Sequence, residues 1–120
     1  MKQRIAINGF GRIGRTVLRA WTARQSLHET VEIAAINEIA DPETVAHLAR
    51  YDSTHGRFPG TVTGTDDSLQ VNGQRIALLR QAQIDSLPWR DLEIDLVIES
   101  TGAFSDRLTA EQHISSGARR

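Results

Sequence analysis

The sequence predicts an α/β fold with a doubly wound, mostly parallel sheet and a small antiparallel hairpin inserted in it. Three apolar, β-branched runs, at residues 5–7, 31–36 and 94–98, are typical of parallel strands buried on both faces. A helical spacing of apolar residues lies between the first two runs. Strand, helix and strand within about 35 residues form a crossover unit, so these two strands should pair in parallel.

Helices are predicted at three places. The first covers about residues 12–25, where apolar side chains recur with the period of an amphipathic helix. The second begins with Asp41 as N-cap and Pro42 at the first helical position. The third covers about residues 108–116, and we expect its Ile114 to face the core.

The hairpin region consists of short strands at residues 61–65, 69–71 and 75–79. Asn72-Gly73 between the last two is a strong signal for a two-residue turn. Asp66-Asp67 resembles a metal-binding pair, but it lies in another expected turn. A solvated turn is therefore the favoured interpretation of these two carboxylates.

Composition excludes several classes of function. Fourteen basic against fifteen acidic residues give a net charge of -1, without the basic excess of a nucleic-acid surface. There are no cysteines, which excludes disulfides, thiolate metal sites and a cysteine nucleophile within the sequence. No run approaches the ~20 apolar residues of a membrane span, and no signal peptide is evident. We expect a cytoplasmic protein with no membrane or nucleic-acid partner.

A glycine-rich turn joins the first strand to the first helix. Gly9, Gly11 and Gly14 have the Gly-x-Gly-x-x-Gly spacing that holds the pyrophosphate of a dinucleotide. The first glycine permits the tight turn, the second lets the backbone approach the phosphates, and the third allows close helix packing. Amide groups at the helix start attract the anion. Arg12 and Arg15 oppose the helix dipole there, which also points to a nearby anion.

An acidic residue follows the second strand, where dinucleotide-binding folds hold the ribose. Glu38 would accept hydrogen bonds from a 2′-hydroxyl and repel a 2′-phosphate, which favours NAD over NADP. The glycine spacing alone also occurs in turns that bind nothing. Strand, glycine turn, helix, second strand and Glu38 together predict a Rossmann-type NAD-binding fold.

The glycine turn is one of several motifs that occur in family order. They are residues 8–15 (NGFGRIGR), 35–38 (AINE), 51–58 (YDSTHGRF), 100–104 (STGAF), His113-Ile114 and Gly117-Ala118. With these motifs the chain resembles the amino-terminal, NAD-binding domain of the glyceraldehyde-3-phosphate dehydrogenase family over essentially its whole length. The first and third runs are the most specific.

The resemblance implies an enzyme that oxidises a phosphorylated aldehyde with NAD. In such enzymes a cysteine forms a thiohemiacetal, a histidine acts as base, and the acyl group passes to phosphate or to water. Both residues lie beyond residue 120 in the family, so we expect residues 1–120 to supply no catalytic residue. A doubly wound sheet usually adds another strand after such a helix, which indicates a fragment with its carboxyl-terminal strands truncated. The family also implies a homo-oligomer, usually a tetramer.

The resemblance assigns cofactor contacts residue by residue. The positions that would contact NAD are Gly9, Phe10, Gly11, Arg12, Ile13, Gly14, Asn37, Glu38, Ser100, Thr101 and Gly102. The residues from Gly9 to Ile13 would hold the pyrophosphate, mainly through the amides of Arg12 and Ile13. Glu38 would bind the adenine ribose, and the last three residues would line the adenine and nicotinamide side. Ala82 stands where the family commonly has an arginine near the adenine, with Arg80 two residues earlier. The adenine contact is therefore open.

The substrate and the role of the chain each have two interpretations. Residues 37–38, 46–48 and 87–92 resemble the erythrose-4-phosphate dehydrogenase branch, although some glyceraldehyde-3-phosphate enzymes share the Leu-Pro-Trp of 87–89. Erythrose-4-phosphate is the favoured substrate and glyceraldehyde-3-phosphate the alternative. The chain could instead be a stand-alone, non-catalytic NAD-binding module, which the absence of cysteine would support.

Other residues have both a functional and a structural interpretation. Asn8 is either a site residue or a cap of the strand-to-helix turn. Residues 55–57 (His-Gly-Arg) invite a catalytic or phosphate-binding role, but structural or subunit contacts are favoured. Trp21 and Trp89 should be core residues, and His113 should be half-exposed and inert.

Overall fold

The computed structural model describes residues 2–52, 56–57, 60–101 and 107–119. The strands and helices are β1 (Gln3–Asn8), α1 (Arg12–Ala23), β2 (Val31–Asn37), α2 (Pro42–Arg50), β3 (Tyr51–Asp52), β4 (Gly56–Arg57), β5 (Val62–Gly64), β6 (Ser68–Val71), β7 (Gln74–Leu79), β8 (Leu96–Glu99) and α3 (Arg107–Ser115). Short 3-10 helices lie at Gln25–Glu29 and Ile84–Ser86. The three predicted helices are confirmed, although α1 ends two residues before its predicted limit.

Six strands form one sheet in the order β5-β6-β7-β2-β1-β8. β1 lies between β2 and β8 and is parallel to both, and β2 is also parallel to β7. β6 pairs antiparallel with β5 and with β7. The Rossmann-type, mostly parallel α/β fold is confirmed. The predicted antiparallel hairpin is confirmed too, and β7 joins it directly to the parallel strands.

Alternation along the strands divides the buried apolar residues between the two faces of the sheet. Ile7 of β1 lies in a cluster with Leu18 of α1 and Leu69 of β6, so the hairpin shares the main core. Trp89 belongs to the cluster on the other face. Both tryptophans are core residues as predicted, since Trp21 is 6% exposed and Trp89 is 0% exposed.

The orientation of α3 differs from the prediction. Ile114 is 52% exposed and His113 is only 4% exposed, so both expectations for these residues are wrong. The reason is that the buried indole of Trp89 needs a hydrogen-bond acceptor. His113 supplies one, because its Nδ1 accepts from Trp89 Nε1 at 3.0 Å. An apolar side chain could not do so, and α3 therefore turns His113 inward.

Turns and caps follow the sequence signals. Asn72 and Gly73 have φ values of 50° and 83°, as the predicted two-residue turn requires. Asp41 caps α2 by accepting from the Thr44 amide at 2.9 Å. Hydrogen bonds from the Thr44 amide and hydroxyl lower the pKa of Asp41. Asp66-Asp67 lies in an exposed turn between β5 and β6, as favoured.

Two kinds of feature are absent from the described ranges: a helix able to span a membrane and a cluster of metal ligands. No helix there has the length and apolar character needed to cross a bilayer. No cluster of metal-ligating side chains occurs in the same ranges.

The shared core gives a test of the fold. Leu69→Ala should lower the free energy of unfolding by about 2–5 kcal/mol, because the side chain is buried among strands and helices. Ile114→Ala should change it by only about 0.5 kcal/mol or less, since Ile114 is half-exposed. Urea unfolding followed by circular dichroism measures both. Equal effects would contradict this description of the core.

Candidate functional site

A cleft of about 400 Å³ opens where the parallel strands β1, β2, β7 and β8 end. In open α/β sheets, ligands bind outside these carboxyl ends. The residues of the sequence prediction that line the cleft are Gly9, Gly11, Asn37, Glu38, Ser100 and Thr101. Asn8, for which two interpretations were open, also lines it.

The remaining predicted residues lie elsewhere. Phe10 is 1% exposed and packs in the main core. Arg12 and Ile13 are exposed at the start of α1, and Gly14 is buried beneath the turn. Gly102 lies outside the described residues. Of the His-Gly-Arg motif at 55–57, residue 55 lies outside them too, and residues 56–57 form β4.

Steric contacts explain two of the glycines. Gly9 has φ +92°, and a Cβ there would lie 2.6 Å from Thr101 Cγ2. A Cβ on Gly14 would lie 2.6 Å from the Gly9 carbonyl oxygen, so its absence lets α1 pack closely on β1. These are the structural roles predicted for both residues. A Cβ on Gly11 would have the Ser100 carbonyl oxygen as its nearest neighbour, at 3.7 Å, so the fold itself leaves room for a side chain there.

The first turn of α1 is open to an anion. Gly11 is the N-cap, no side chain caps the helix, and the first turn contains no acidic residue. The first amides of a helix have no acceptor within it and carry a partial positive charge. Arg15 donates from Nη1 to the Phe10 carbonyl oxygen at 3.2 Å, so this cation is also held by the turn itself.

Glu38 connects the end of β2 to the glycine turn. Its Oε1 accepts from the Phe10 amide at 2.9 Å, and its Oε2 accepts from the Ala40 amide at 3.1 Å. A carboxylate has about four acceptor positions, so two bonds leave room for the hydroxyls of a ribose. Glu38 therefore has a structural role that its sequence position alone did not indicate.

Two buried asparagine residues that line the cleft join the ends of neighbouring strands. Asn8 is 2% exposed, and its Oδ1 accepts from Asn37 Nδ2 at 2.7 Å. The same amide of Asn37 donates to the Gln81 carbonyl oxygen at 2.9 Å, and Asn37 Oδ1 accepts from the Gln81 amide at 2.9 Å. Neither alternative offered for Asn8 covers this role. It joins neighbouring strands.

The bonds that link Gln81, Asn37 and Asn8 form a series, and Glu99, at the end of β8, accepts hydrogen bonds at its other end. Asn8 Nδ2 donates to its Oε1 at 2.7 Å, and His113 Nε2 lies 2.8 Å from the same oxygen. The Thr101 amide and hydroxyl donate to Oε2 at 3.1 and 2.8 Å. Burial would raise the pKa of Glu99, but the hydrogen bonds from His113, Asn8 and Thr101 hold this pKa below its ordinary value.

The tautomer of His113 follows from its partners. An indole N–H only donates, so Nδ1 of His113 must be unprotonated to accept from Trp89. The ring proton is then on Nε2 and is donated to Glu99. His113 is therefore a neutral, buried partner of an ionised carboxylate.

Several cleft residues were not predicted from the sequence. Ile39, Gln81 and Ile84 line the cleft together with Ala82, the position that departs from the family pattern. Gln81, Ala82 and Ile84 follow β7, whose carboxyl end lies beside that of β2. The parallel pairing of β7 with β2 could have predicted these residues. The sequence shows β7 only as a strand of the hairpin, so this second pairing is not evident from it.

Comparison with known proteins identifies the family. The model of the family described as "Glyceraldehyde 3-phosphate dehydrogenase, NAD binding domain" matches residues 3–107. This chain belongs to that family. Its cofactor is NAD.

Curated relatives agree with this assignment. The chain is 48% identical over 117 residues to a glyceraldehyde-3-phosphate dehydrogenase of Thermotoga maritima, which covers 98% of this chain. Over all 120 residues it is 46% identical to the chromosomal enzyme of that name from Cupriavidus necator and 48% identical to glyceraldehyde-3-phosphate dehydrogenase 1 of Streptomyces arenae. The chain spans 34–35% of the length of these relatives.

The ionised state of Glu99 makes stability depend on pH. Because its pKa is lowered on folding, its contribution is fully present above the unfolded value of 4.5. That contribution is lost as the pH falls through the lower folded value. The stability difference between the wild type and Glu99→Gln should therefore decrease from pH 6 to pH 3. Urea unfolding at both pH values measures it, and a difference independent of pH would contradict the assignment.

Proposed function

We propose that this chain binds NAD in the cleft at the carboxyl ends of β1, β2, β7 and β8. The observation that carries the proposal is that Gly11, at the uncapped start of α1, and Glu38 both line the cleft. The pyrophosphate would lie against the amides that begin α1, chiefly those of Arg12 and Ile13. Ser100 and Thr101 would line the adenine and nicotinamide side.

The residues of the cleft suit such a ligand. NAD, when bound, supplies the acceptor for a hydride. The chain's own part is to hold two phosphates and the sugars in place. Helix amides neutralise the phosphates. The exposed Ile39 lines the cleft together with Ala82, the position where the family commonly has an arginine. These two side chains offer an apolar wall that suits the adenine.

Glu38 supports NAD rather than NADP. Its carboxylate lies at the cleft and keeps acceptor capacity beyond its bonds to the Phe10 and Ala40 amides. Ribose hydroxyls can donate to it. A 2′-phosphate would place up to two negative charges beside it, and no cation in the described cleft lining compensates for this repulsion.

In the intact protein we propose that the bound NAD serves the oxidation of a phosphorylated aldehyde. The resemblance of residues 37–38 and 87–92 favours erythrose-4-phosphate, whereas the relatives carry the name of the glyceraldehyde-3-phosphate enzyme. The thiol and base for this reaction would come from outside these 120 residues. We further propose a cytoplasmic homo-oligomer, by family resemblance. Assaying the intact enzyme with both aldehydes decides the substrate, and oxidation of neither would reject the proposal.

Glu38→Gln tests the discrimination between cofactors. We expect the chain to bind NAD weakly and NADP more weakly. Glu38→Gln should reduce the ratio of the NADP to the NAD dissociation constant by about tenfold. NAD loses a hydrogen bond to the carboxylate, and NADP no longer meets the repulsion of its negative charge. Isothermal titration with each nucleotide measures the ratio.

Glu38→Ala serves as the comparison variant. It should narrow the ratio as well, and it should also lower stability, since the Phe10 and Ala40 amides lose their acceptor. Glu38→Gln keeps an acceptor oxygen for one of these amides. An unchanged ratio in both variants would show that Glu38 does not contact the ribose.

Substitutions at Gly11 and Gly14 distinguish an effect on ligand binding from an effect on folding. Gly11→Ala should leave stability nearly unchanged, because the added Cβ meets only ordinary contacts, while NAD binding weakens. Gly14→Ala should destabilise the chain, because the Cβ would collide with the Gly9 carbonyl oxygen. Thermal unfolding and NAD titration of both variants test this. NAD affinity unaffected by Gly11→Ala would contradict the proposed position of the pyrophosphate.

A further inference from the structure

Glu99 does not line the cleft, yet its carboxylate is where three elements meet. It receives hydrogen bonds from Asn8 at the end of β1 and from His113 on α3, and from Thr101 just beyond β8. Two of these partners, Asn8 and Thr101, line the cleft themselves. A change at Glu99 therefore reaches the cleft through its neighbours.

The donors around Glu99 fix the direction of the whole series. Among the described residues, each group that bonds to its two oxygens donates, so the carboxylate must accept at both of them. Asn8 is thereby oriented with Nδ2 towards Glu99 and Oδ1 towards Asn37. Asn37 in turn donates from Nδ2 to the Gln81 carbonyl oxygen and accepts at Oδ1 from the Gln81 amide.

Thr101 connects the carboxylate to the glycine turn. Its amide and hydroxyl donate to Glu99. Its backbone nitrogen and Cα would lie only 2.7 Å from a Cβ added to Gly9. The neighbouring Ser100 donates from Oγ to the Gly9 carbonyl oxygen at 2.6 Å. With so little space, a displacement of residues 100–101 would displace the turn at Gly9 as well.

We propose that Glu99 is a positioning residue of the cofactor cleft, which sets the glycine turn and the wall at Gln81 through its bonds to Thr101 and Asn8. His113 assists by donating its Nε2 proton while its ring is held by Trp89. The effect on NAD rests on the proposed function of the cleft. The positioning of the apo cleft can be measured separately.

Glu99→Gln is the informative substitution, because it keeps the volume but brings a donor to one oxygen position. If its amide faces Thr101, two donors oppose each other there. If it is turned the other way, the amide opposes Asn8 and His113. Either orientation leaves one side mispaired, so the variant tests the carboxylate rather than the packing.

The first measurement needs no cofactor. In ¹⁵N-labelled wild-type chain, the Thr101 amide proton should be shifted downfield by its carboxylate acceptor. Glu99→Gln should remove that shift and move the amide resonances of Gly9 and Gln81. Unchanged resonances at both residues, in a variant that circular dichroism shows to be folded, would overturn the proposal.

The second measurement is NAD titration. Glu99→Gln should weaken NAD binding about tenfold, the scale of one hydrogen bond to a charged group. His113→Gln retains a donor for Glu99 and an acceptor for Trp89, so it should restore most of the affinity that His113→Leu loses. Equal losses in the two His113 variants would contradict a role through hydrogen bonding.

The outcomes separate the two proposals. A wild type that binds no NAD, with Gly9 and Gln81 resonances that move in Glu99→Gln, rejects the proposed cofactor site and keeps the positioning role. A wild type that binds NAD, with an affinity unchanged in Glu99→Gln, rejects the positioning role alone. If Glu99→Gln fails to fold, the two His113 variants give the same comparison.

Discussion

The buried side-chain amide of Asn8 joins β1 to the strands on both sides of it. At 2% exposure it must satisfy its donor and acceptor within the protein, since an unpaired buried polar group costs about 1–3 kcal/mol. Its Nδ2 donates to Glu99 at the end of β8, and its Oδ1 accepts from Asn37 at the end of β2. The ends of four parallel strands are thus held together by side chains where their backbone pairing stops.

This arrangement separates two tasks. The cleft needs open backbone amides for a ligand, while the fold needs its own polar groups paired. The second task is carried out by the buried side chains of Asn8 and Asn37 and by the partly buried Glu99. The start of α1 therefore remains uncapped without loss of order in the turn, because Gly9 and Gly14 pack tightly against Thr101 and β1. A preorganised site of this kind loses less conformational entropy when a ligand binds.

Local patterns predicted most of the fold. Apolar periodicity found the helices and the parallel strands, and Asn72-Gly73 found its turn. Periodicity could not show that β7 lies parallel to β2, because that pairing joins distant residues, and so Gln81 and Ile84 were missed. The inward turn of His113 depends on Trp89, 24 residues earlier, which no local pattern encodes.

The side chain of Asn37 imitates a peptide group. Its oxygen and nitrogen pair with the amide and carbonyl of Gln81 as a neighbouring strand would. The β2–β7 ladder thus gains one more rung beyond the bond from the Glu38 amide to the Leu79 carbonyl oxygen. Aspartate at this position would lack the donor, and serine would lack the reach. Tolerance to substitution here is set by the architecture of the sheet, so an invariant asparagine would not by itself indicate contact with a ligand.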